Sequence, residues 1–443
     1  MKITLLYPPF CPPTVPPHSI TYLASYLKTN SPEMQIKCLD LNAKFHRLRF
    51  PELYQRLVKA RENITPYSEM LEKYSSGAKK VHRENNFRMY GGEKPELFRE
   101  LLELILEDKP DVVGLSLVYN SQIFFSLALI EELSSRGIKC VAGGPAVSKF
   151  VEEKVTVMKD EAELLKFLTG NEKAEKTYAL DFSHYPVEDY LSKEMIYPIR
   201  SSYGCCHKAC AFCTHHDNVP YKEIDLDDIK DTILKNRIKN LFFIDDTIPA
   251  NRLSELAAML KPLGVNWWCQ TRPTSDLLGN FGELRKGGLT SISFGIESGN
   301  QRILDSMGKG TNVGEIKKVL AESHQAGIKN IIFIMFGFPG ETEETFYDTM
   351  NFLRDNRENI VIVSASIFGL QKGSRVYQNA DKFGVFDIKE NDTPLGETIT
   401  YSVKQGLSEI ELKKLKESVA RELREMNKLP KIFALLKEQS LFF

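Results

Sequence analysis

The sequence has no long apolar run, no excess of one charge and no repeated or low-complexity tract. Its longest apolar stretches, such as residues 331–338, fall far short of the roughly 20 residues that a membrane-crossing helix needs. Lys plus Arg number 58 and Asp plus Glu number 59, so no global field attracts nucleic acid or anionic lipid. With 443 residues, 42% of them hydrophobic, the chain is expected to form two or three globular domains, with neither nucleic acid nor membrane as a partner.

Cysteine is scarce and unevenly placed: four of the eight cysteines lie between positions 205 and 213. Met1 leads directly into a strand-like run, so we expect no export signal and a cytoplasmic protein. A disulfide framework is typical of small secreted domains, whereas clustered thiols in a large reduced protein indicate a metal site.

Residues 1–170 alternate short apolar strands with helical stretches, which predicts a Rossmann-like (flavodoxin-like) α/β domain with a parallel sheet. Ligands of such sheets bind at the carboxyl ends of the strands. A charged insertion of helical periodicity at about residues 43–109 is either a lid or a packing element. The composition turns polar and strand periodicity disappears at about residues 171–176, and we interpret residues 171–194 as a linker.

Residues 195–377 again alternate strands and helices, and the six β/α units predict a partial (β/α)6 barrel. In such a barrel the chemistry belongs at the carboxyl ends of the strands. We assign residues 378–443 to a small C-terminal helical region, because residues 408–426 place apolar side chains at helical spacing.

Three cysteines directly after the first strand of this second half have the spacing C-x3-C-x2-C: Cys206, Cys210 and Cys213. Structural zinc usually has four protein ligands, whereas three thiolates leave one iron of an iron–sulfur cluster open. The alternative is a zinc site in which one of four neighbouring residues is the fourth ligand: Cys205, His207, His215 or His216.

The segment Cys206-His-Lys-Ala-Cys210-Ala-Phe-Cys213 resembles the cluster motif of the radical S-adenosylmethionine (SAM) enzymes. Residues 243–247 (Phe-Ile-Asp-Asp-Thr), 293–299 (Ser-Phe-Gly-Ile-Glu-Ser-Gly) and 336–342 (Phe-Gly-Phe-Pro-Gly-Glu-Thr) are similar to family segments at successive strand ends. Many relatives have a glycine directly before the first ligand, but Gly204 precedes Cys205 here. Cys206 gives the standard spacing, and Cys205 is kept as a neighbouring thiol or an alternative ligand.

The resemblance spans about residues 195–377 and implies a [4Fe-4S] cluster whose open iron chelates SAM. An electron then breaks a C–S bond of SAM and releases a 5′-deoxyadenosyl radical, while the protein orients the reactants. Six residues are expected to contact SAM, either as acceptors for its ammonium group or ribose, as cations for its carboxylate, or as a neighbouring ring. The alternative for each of them is ordinary packing or an ordinary ion pair. They are Phe212, Asp245, Asp246, Arg272, Glu297 and Arg302.

The first domain resembles cobalamin-binding folds in the loops that follow its strands. The residues expected to contact cobalamin are Pro8, Pro9, Asn42, Ser116, Tyr119, Asn120, Gly143, Gly144, Pro145 and Glu161. Asn42 stands where the D-x-H-x-x-G motif of other cobalamin proteins has its cobalt-ligating histidine, so no histidine of this loop is expected to bind cobalt. The alternative is a Rossmann-like domain that binds nothing.

The third barrel strand carries Trp267, Trp268 and Gln270. Adjacent strand residues point to opposite faces, so at most one tryptophan lines the interior. Core packing and a role in shaping the substrate pocket are equally weighted interpretations.

These resemblances imply a cobalamin-dependent (class B) radical SAM C-methyltransferase that receives electrons from a flavodoxin- or ferredoxin-like donor. The substrate is a peptide, a protein side chain or a small molecule, and the compact length resembles the peptidyl glutamine methylases of methyl-coenzyme M reductase. The alternatives are a non-methylating cyclase or oxidoreductase of the same architecture, and a zinc-stabilised binding protein with vestigial sites.

Overall fold

The computed structural model describes residues 1–60, 62–171, 179–214, 219–393 and 396–443, and within them the chain divides into two compact units. The first unit comprises Met1–Pro198, Asp227–Arg237 and Asp392–Glu397, and the second comprises Ile199–Leu226, Ile238–Asn391 and Thr398–Phe443. No helix in these ranges combines the length and the apolar character that a bilayer crossing requires. The predicted candidate ligands His215 and His216 lie outside the described residues.

The first unit is built on a parallel five-stranded sheet with the order β2-β1-β3-β4-β5. Its strands are β1 (Lys2–Tyr7), β2 (Gln35–Asp40), β3 (Val112–Ser116), β4 (Lys139–Gly143) and β5 (Thr156–Val157). This is the flavodoxin-like order, in which the strands after β2 are added on the opposite side of β1. In such sheets a crevice lies at the carboxyl ends of β1 and β3, and this position is called the switch point. The predicted Rossmann-like topology is therefore confirmed.

Eight helices in the described residues connect or flank these strands: α1 (His18–Asn30), α2 (Leu41–Arg49), α3 (Pro51–Ala60), α4 (Ile64–Tyr90), α5 (Phe98–Leu106), α6 (Ile123–Ser135), α7 (Lys149–Glu152) and α8 (Glu161–Thr169). The predicted insertion provides most of α2 and all of α3, α4 and α5. Helix α4 buries Tyr67 and Tyr74, and the Tyr74 hydroxyl lies 2.9 Å from Nδ1 of the buried His46. The insertion therefore packs as part of the core.

Residues 179–194, the described part of the predicted linker, pack firmly within the first unit. The Tyr190 hydroxyl donates to Asp40 Oδ2 at 2.8 Å, and the Leu191 amide donates to Pro13 O at 2.8 Å. Asp189 is buried and pairs with Lys44 at 2.6 Å and with Arg47 at 2.7 Å. Leu180, Phe182 and Tyr185 of this segment also belong to the hydrophobic core of the first unit, so residues 179–194 are not a free connector.

The second unit, together with residues 197–198, contains a six-stranded sheet whose strands lie side by side in chain order, as a partial (β/α)6 barrel requires. They are β6 (Tyr197–Ile199), β9 (Asn240–Phe243), β10 (Asn266–Thr271), β11 (Leu289–Glu297), β12 (Lys329–Phe336) and β13 (Ile362–Ile367). The pairs from β9 to β13 are parallel. A short antiparallel pair, β7 (Ser202–Tyr203) with β8 (Lys222–Glu223), follows β6 in sequence.

The helices that lie between these strands in the sequence are α9 (Leu226–Asn236), α10 (Ala250–Leu260), α11 (Phe281–Lys286), α12 (Gln301–Ser306), α13 (Val313–Gln325) and α14 (Glu343–Asp355). All but α9, whose residues from Asp227 onward are counted with the first unit, belong to the second unit. Strand residues on the helix-packed face are fully buried; on β11 and β12 they include Ile292, Phe294, Ile332 and Ile334. The predicted alternation of strands and helices along the chain is thus present in the structure.

The C-terminal region is only partly helical. After the short helix α15 (Arg375–Gln378), β14 (Val385–Thr393) and β15 (Gly396–Val403) form a two-stranded sheet, followed by α16 (Glu409–Glu425). Strand β14 is mostly exposed and polar, so its sequence lacks the apolar alternation that would have predicted it. The predicted amphipathic helix is present and buries Leu412, Val419 and Leu423.

Asn330 on β12 is a fully buried polar group that joins three segments of the second unit. Its Oδ1 accepts a 2.7 Å hydrogen bond from Ser323, and its Nδ2 donates to the carbonyls of Leu320 at 2.9 Å and Asn359 at 2.8 Å. Truncation removes all three of these hydrogen bonds inside a buried site, where the loss costs more than it would at the surface.

We expect Asn330→Ala to lower the free energy of unfolding by roughly 2–3 kcal/mol, as measured by urea denaturation. The control is Asn351→Ala, at an exposed amide of α14, which should change it by less than about 0.5 kcal/mol. Equal effects of the two substitutions would contradict this account of Asn330.

Candidate active site at the strand ends

The cysteine loop, residues 204–214, follows β7 in the second unit. All eight cysteines are free thiols; Cys206 is exposed, and Cys205, Cys210 and Cys213 are half-buried. No three His, Cys, Asp or Glu side chains of the described residues converge closely enough to hold one metal ion. The donor set nevertheless fits an iron–sulfur cluster, because several accessible thiols of one loop are available together.

Two neighbouring segments hold the backbone of this loop at Ala211. The Ala211 amide donates to Met307 O at 2.7 Å, and the Ala211 carbonyl accepts from the Val376 amide at 2.9 Å. Arg375 adds a 2.9 Å hydrogen bond to Lys208 O. The loop is therefore fixed by backbone contacts that do not use its thiols.

The 307–310 segment (Met-Gly-Lys-Gly) presents consecutive carbonyls to this site. Gly308 O lies 2.8 Å from His207 Nε2, and Lys309 O and Gly310 O accept from Arg272 Nη2 at 2.7 and 2.9 Å. Gly308 has φ 65°, and a Cβ there would lie 2.6 Å from Ala209 O. Glycine is required at that position because of both the backbone conformation and the close approach.

Arg272 lies within electrostatic range of three thiols of the loop: Cys205, Cys206 and Cys210. Burial raises the pKa of Cys206, and the Arg272 guanidinium opposes that shift. His207, the described histidine among the predicted zinc ligands, has its pKa lowered by burial. The structure thus brings the predicted SAM-binding Arg272 and the predicted cluster cysteines together.

A buried ion pair stands beside the cysteine loop. Glu297, at the end of β11, has φ 72° and accepts a 2.8 Å contact from Lys309 Nζ, and both residues are less than a tenth exposed. The Lys309 ammonium lies 5.8 Å from the ring centroid of Phe212 and counteracts the rise in the pKa of Cys210 that burial causes. The predicted residues Phe212 and Glu297 therefore meet at a lysine that the sequence analysis missed.

The neighbouring carboxylates Asp245 and Asp246 have different surroundings. Asp245 is buried and accepts hydrogen bonds from Ser201 N at 2.9 Å, Ser201 Oγ at 2.9 Å and Ser202 Oγ at 2.6 Å. These contacts favour the packing alternative for Asp245, since its acceptors are occupied within the protein. Asp246 is exposed at the rim, where its carbonyl accepts from Gln270 Nε2 at 3.2 Å.

Arg302 is exposed on α12 and donates to Gly340 O at 3.4 Å, which places it at the turn after β12. Trp267 and Trp268 point to opposite faces, as strand geometry requires. Trp267 is fully buried and donates to Gly287 O at 2.8 Å, whereas Trp268 donates to Ser293 Oγ at 3.1 Å. Only Trp268 shares the strand face of Gln270.

The predicted cobalamin residues lie at the carboxyl edge of the first unit's sheet and fall into two groups. In one group the polar side chains are engaged internally: Asn42 Oδ1 accepts from Cys11 N at 2.8 Å, Ser116 donates to Ser19 at 2.7 Å, and Glu161 accepts from Tyr22 at 2.9 Å. The exposed members are Tyr119, Asn120, Gly144 and Pro145. Pro8 and Pro9 are buried and Gly143 is half-buried.

Gln122 organises this edge and was not identified from the sequence. Its Oε1 accepts from Val118 N at 2.7 Å and Tyr119 N at 2.9 Å, and its Nε2 donates to Pro8 O at 2.8 Å. One buried amide thereby joins the loops after β1 and β3. Gly144 has φ 118°, and a Cβ there would lie 2.3 Å from Leu117 O, so this loop also requires glycine.

Parts of this sequence are similar to known enzymes. Relatives include the bacteriochlorophyllide d C-12(1)-methyltransferase of Chlorobaculum tepidum, 29% identical over 205 residues (42% of this chain, 43% of the relative). Another is the anaerobic magnesium-protoporphyrin IX monomethyl ester cyclase of Rubrivivax gelatinosus, 27% identical over 201 residues (42% and 35%). Both matches thus span less than half of the relative's own length.

Among solved structures, the radical SAM methyltransferase TsrM of Kitasatospora setae, with cobalamin and a [4Fe-4S] cluster bound, has a similar fold. The TM-score is 0.65 at 13% identity, covering 96% of this chain and 88% of TsrM. Residues 200–353 match the family model of the radical SAM superfamily, and this range includes the cysteine loop and the Glu297–Lys309 pair. The chain therefore carries a radical SAM domain over residues 200–353.

Proposed function

We propose that this protein is a cobalamin-dependent radical SAM C-methyltransferase. The observation that carries the proposal is the match of residues 200–353 to the radical SAM family. The other unit adds support, because it has the flavodoxin-like strand order and exposes Tyr119 and Asn120 in the loop after β3. When bound, a cluster and SAM supply a substrate-activating radical, and methylcobalamin supplies the methyl group.

Cys206, Cys210 and Cys213 would hold the cluster. Three observations support this assignment: the C-x3-C-x2-C spacing, the free thiol state of the cysteines and the loop backbone that is fixed at Ala211. The role of the surrounding segments is to keep the loop in place while its thiols remain accessible. Arg272 supplies positive charge that favours the anionic form of the ligands.

Glu297, Lys309, Arg272 and Phe212 would contact SAM, with Asp246 at the rim. The buried Glu297–Lys309 pair offers one acceptor and one cation, which suit the ammonium and the carboxylate of an amino acid moiety. The occupied acceptors of Asp245 favour a supporting role through Ser201 and Ser202, and Arg302 is assigned to the turn after β12.

Tyr119, Asn120, Gly144 and Pro145 would contact cobalamin directly, since they are exposed at the carboxyl edge of the first sheet. Asn42, Ser116, Glu161, Pro8, Pro9 and Gly143 would shape that edge, because their polar contacts or burial lie within the unit. Gln122 supports both loops and acts as a positioning residue.

The proposed reaction adds a methyl group to a carbon of the substrate. The substrate is a peptide, a protein side chain of the glutamine type or a small molecule, and the electron donor is a flavodoxin- or ferredoxin-like protein. The similarity to a named C-methyltransferase supports methyl transfer. A second candidate function is a non-methylating radical SAM enzyme of the same architecture, and the similarity to an anaerobic cyclase is the observation that supports it.

We expect Cys206→Ala, Cys210→Ala and Cys213→Ala each to abolish iron binding and visible absorbance after anaerobic reconstitution, because a cluster needs all three thiolates. Cys140→Ala, at a buried cysteine outside the loop, serves as the control and should keep both. Cys205→Ala tests the register and should also keep both. A colourless wild-type protein with tetrahedral zinc at these thiols would refute the cluster.

We expect Lys309→Met to abolish measurable SAM binding by calorimetry and to destabilise the second unit by about 3–5 kcal/mol, since it leaves the Glu297 carboxylate buried and unpaired. The double variant Glu297→Gln with Lys309→Met should regain most of that stability without regaining SAM binding. Lys317→Met, at an exposed lysine of α13, is the control. Normal SAM binding by the stable double variant would limit Lys309 to a structural role.

Methyl transfer is tested by incubating the reconstituted enzyme with methyl-labelled SAM and extracts of cells that lack its gene, followed by mass spectrometry of small molecules and tryptic peptides. We expect one species to gain a labelled methyl group on carbon. Loss of hydrogen or rearrangement without added carbon would instead support the non-methylating candidate.

A further inference from the structure

The sheet of the second unit has an accessible inner face. On β12, Phe333 and Met335 are half-buried, although their neighbours Ile332 and Ile334 on the helix-packed face are fully buried. Phe242 on β9 and Gln270 on β10 are half-buried in the same way. Side chains with a two-residue period therefore line a partly open, largely apolar interior of the barrel.

The C-terminal turn, residues 437–442, covers the amino end of this interior. Ser440 Oγ donates to Ser291 Oγ near the start of β11 at 3.0 Å, and Lys329 Nζ at the start of β12 donates to Ser440 O at 2.8 Å. Both contacts are made to the first residues of central strands. The turn therefore forms the floor of the interior, at the end opposite the cysteine loop.

Lys437 extends from this floor toward the middle of the sheet. Its ammonium lies 5.0 Å from the centroid of the Phe333 ring, a cation–π distance. Within the described part of the chain, Lys437 has no ion pair and no hydrogen bond, and Glu438 is the one charged group that acts on it electrostatically. Burial lowers the pKa of Lys437, and the neighbouring Glu438 carboxylate opposes that shift.

The ammonium is distinct from the cations near the thiols. Lys309 is paired with Glu297, and Arg272 is bound to carbonyls of the 307–310 segment, and neither charge acts on Lys437. A SAM carboxylate held beside the cysteine loop would therefore not satisfy Lys437.

We propose that Lys437 is a specificity-determining residue that binds an anionic group, a carboxylate or a phosphate, at one end of the substrate. This inference rests on the proposed function, since it names the substrate class of the same barrel. The apolar part of the substrate would lie along Phe333, Met335 and Phe242, with its other end directed to the strand ends that carry the cysteine loop. A lysine suits both anions because it acts as a compact point charge.

The test is calorimetric titration of the reconstituted holoenzyme with three probes that share an apolar body: 4-phenylbutyrate, 2-phenylethyl phosphate and the neutral 4-phenylbutan-1-ol. We expect at least one anionic probe to bind roughly tenfold more tightly than the alcohol. Lys437→Met should remove that preference while leaving binding of the alcohol unchanged, which also shows that the interior is intact. Lys437→Arg should keep the preference.

Lys431→Met, at an exposed lysine of the preceding turn, is the matched control and should bind all three probes as the wild type does. An unchanged preference in Lys437→Met, or equal affinities of the wild type for all three probes, would overturn the proposal. The titration can be repeated without cofactors, and cluster and cobalamin absorbance are measured separately. Loss of those absorbances with retained probe preference would thus refute the proposed function alone.

Discussion

The buried ion pair between Glu297 and Lys309 is the interaction on which the rest of the second unit's site depends. Charges this deeply buried are stable only when paired, so the end of β11 and the 307–310 segment must be held together. That same segment provides the carbonyls that bind Ala211, His207 and Arg272. This electrostatic constraint thereby fixes one of the two segments that hold the cysteine loop in place.

The two units use polar side chains by a common principle. Near each set of strand ends, some polar groups are fully engaged in joining loops, as Asp245 is with Ser201 and Ser202, and as Gln122 is with Pro8 and Tyr119. Buried polar groups must find such partners. Exposed residues such as Asp246 and Asn120 lie beside them, so the side chains that support the loops differ from those available to a ligand.

The C-terminal region contributes at both ends of the barrel. An apolar cluster joins Ala211 of the cysteine loop and Phe338 of the turn after β12 to residues of the β14–β15 hairpin, among them Val385 and Tyr401. At the other end, Ser440 binds the start of β11. Residues that follow the last barrel strand thus complete the cysteine-loop side and the floor, and one of them, Lys437, places its ammonium 5.0 Å from the centre of the Phe333 ring.

Sequence alone determined the elements whose signal is local. The alternation of strands and helices gave both α/β units, the cysteine spacing gave the candidate cluster ligands, and helical periodicity gave α16, because each pattern repeats within a few residues. The exposed β14 strand lacked such a pattern and was missed. So was the attachment of residues 179–194 to the first unit.

Only the tertiary structure decided which candidates share a site. Asp245 and Asp246 are adjacent in sequence and equal in chemistry, yet Asp245 faces two buried serines and Asp246 faces solvent. Lys309 and Lys437 have no motif, and their significance comes from partners 12 and about a hundred positions away: Glu297 for the first and Phe333 for the second. Burial and pairing depend on contacts between distant segments, and a single sequence does not encode those contacts in any local pattern.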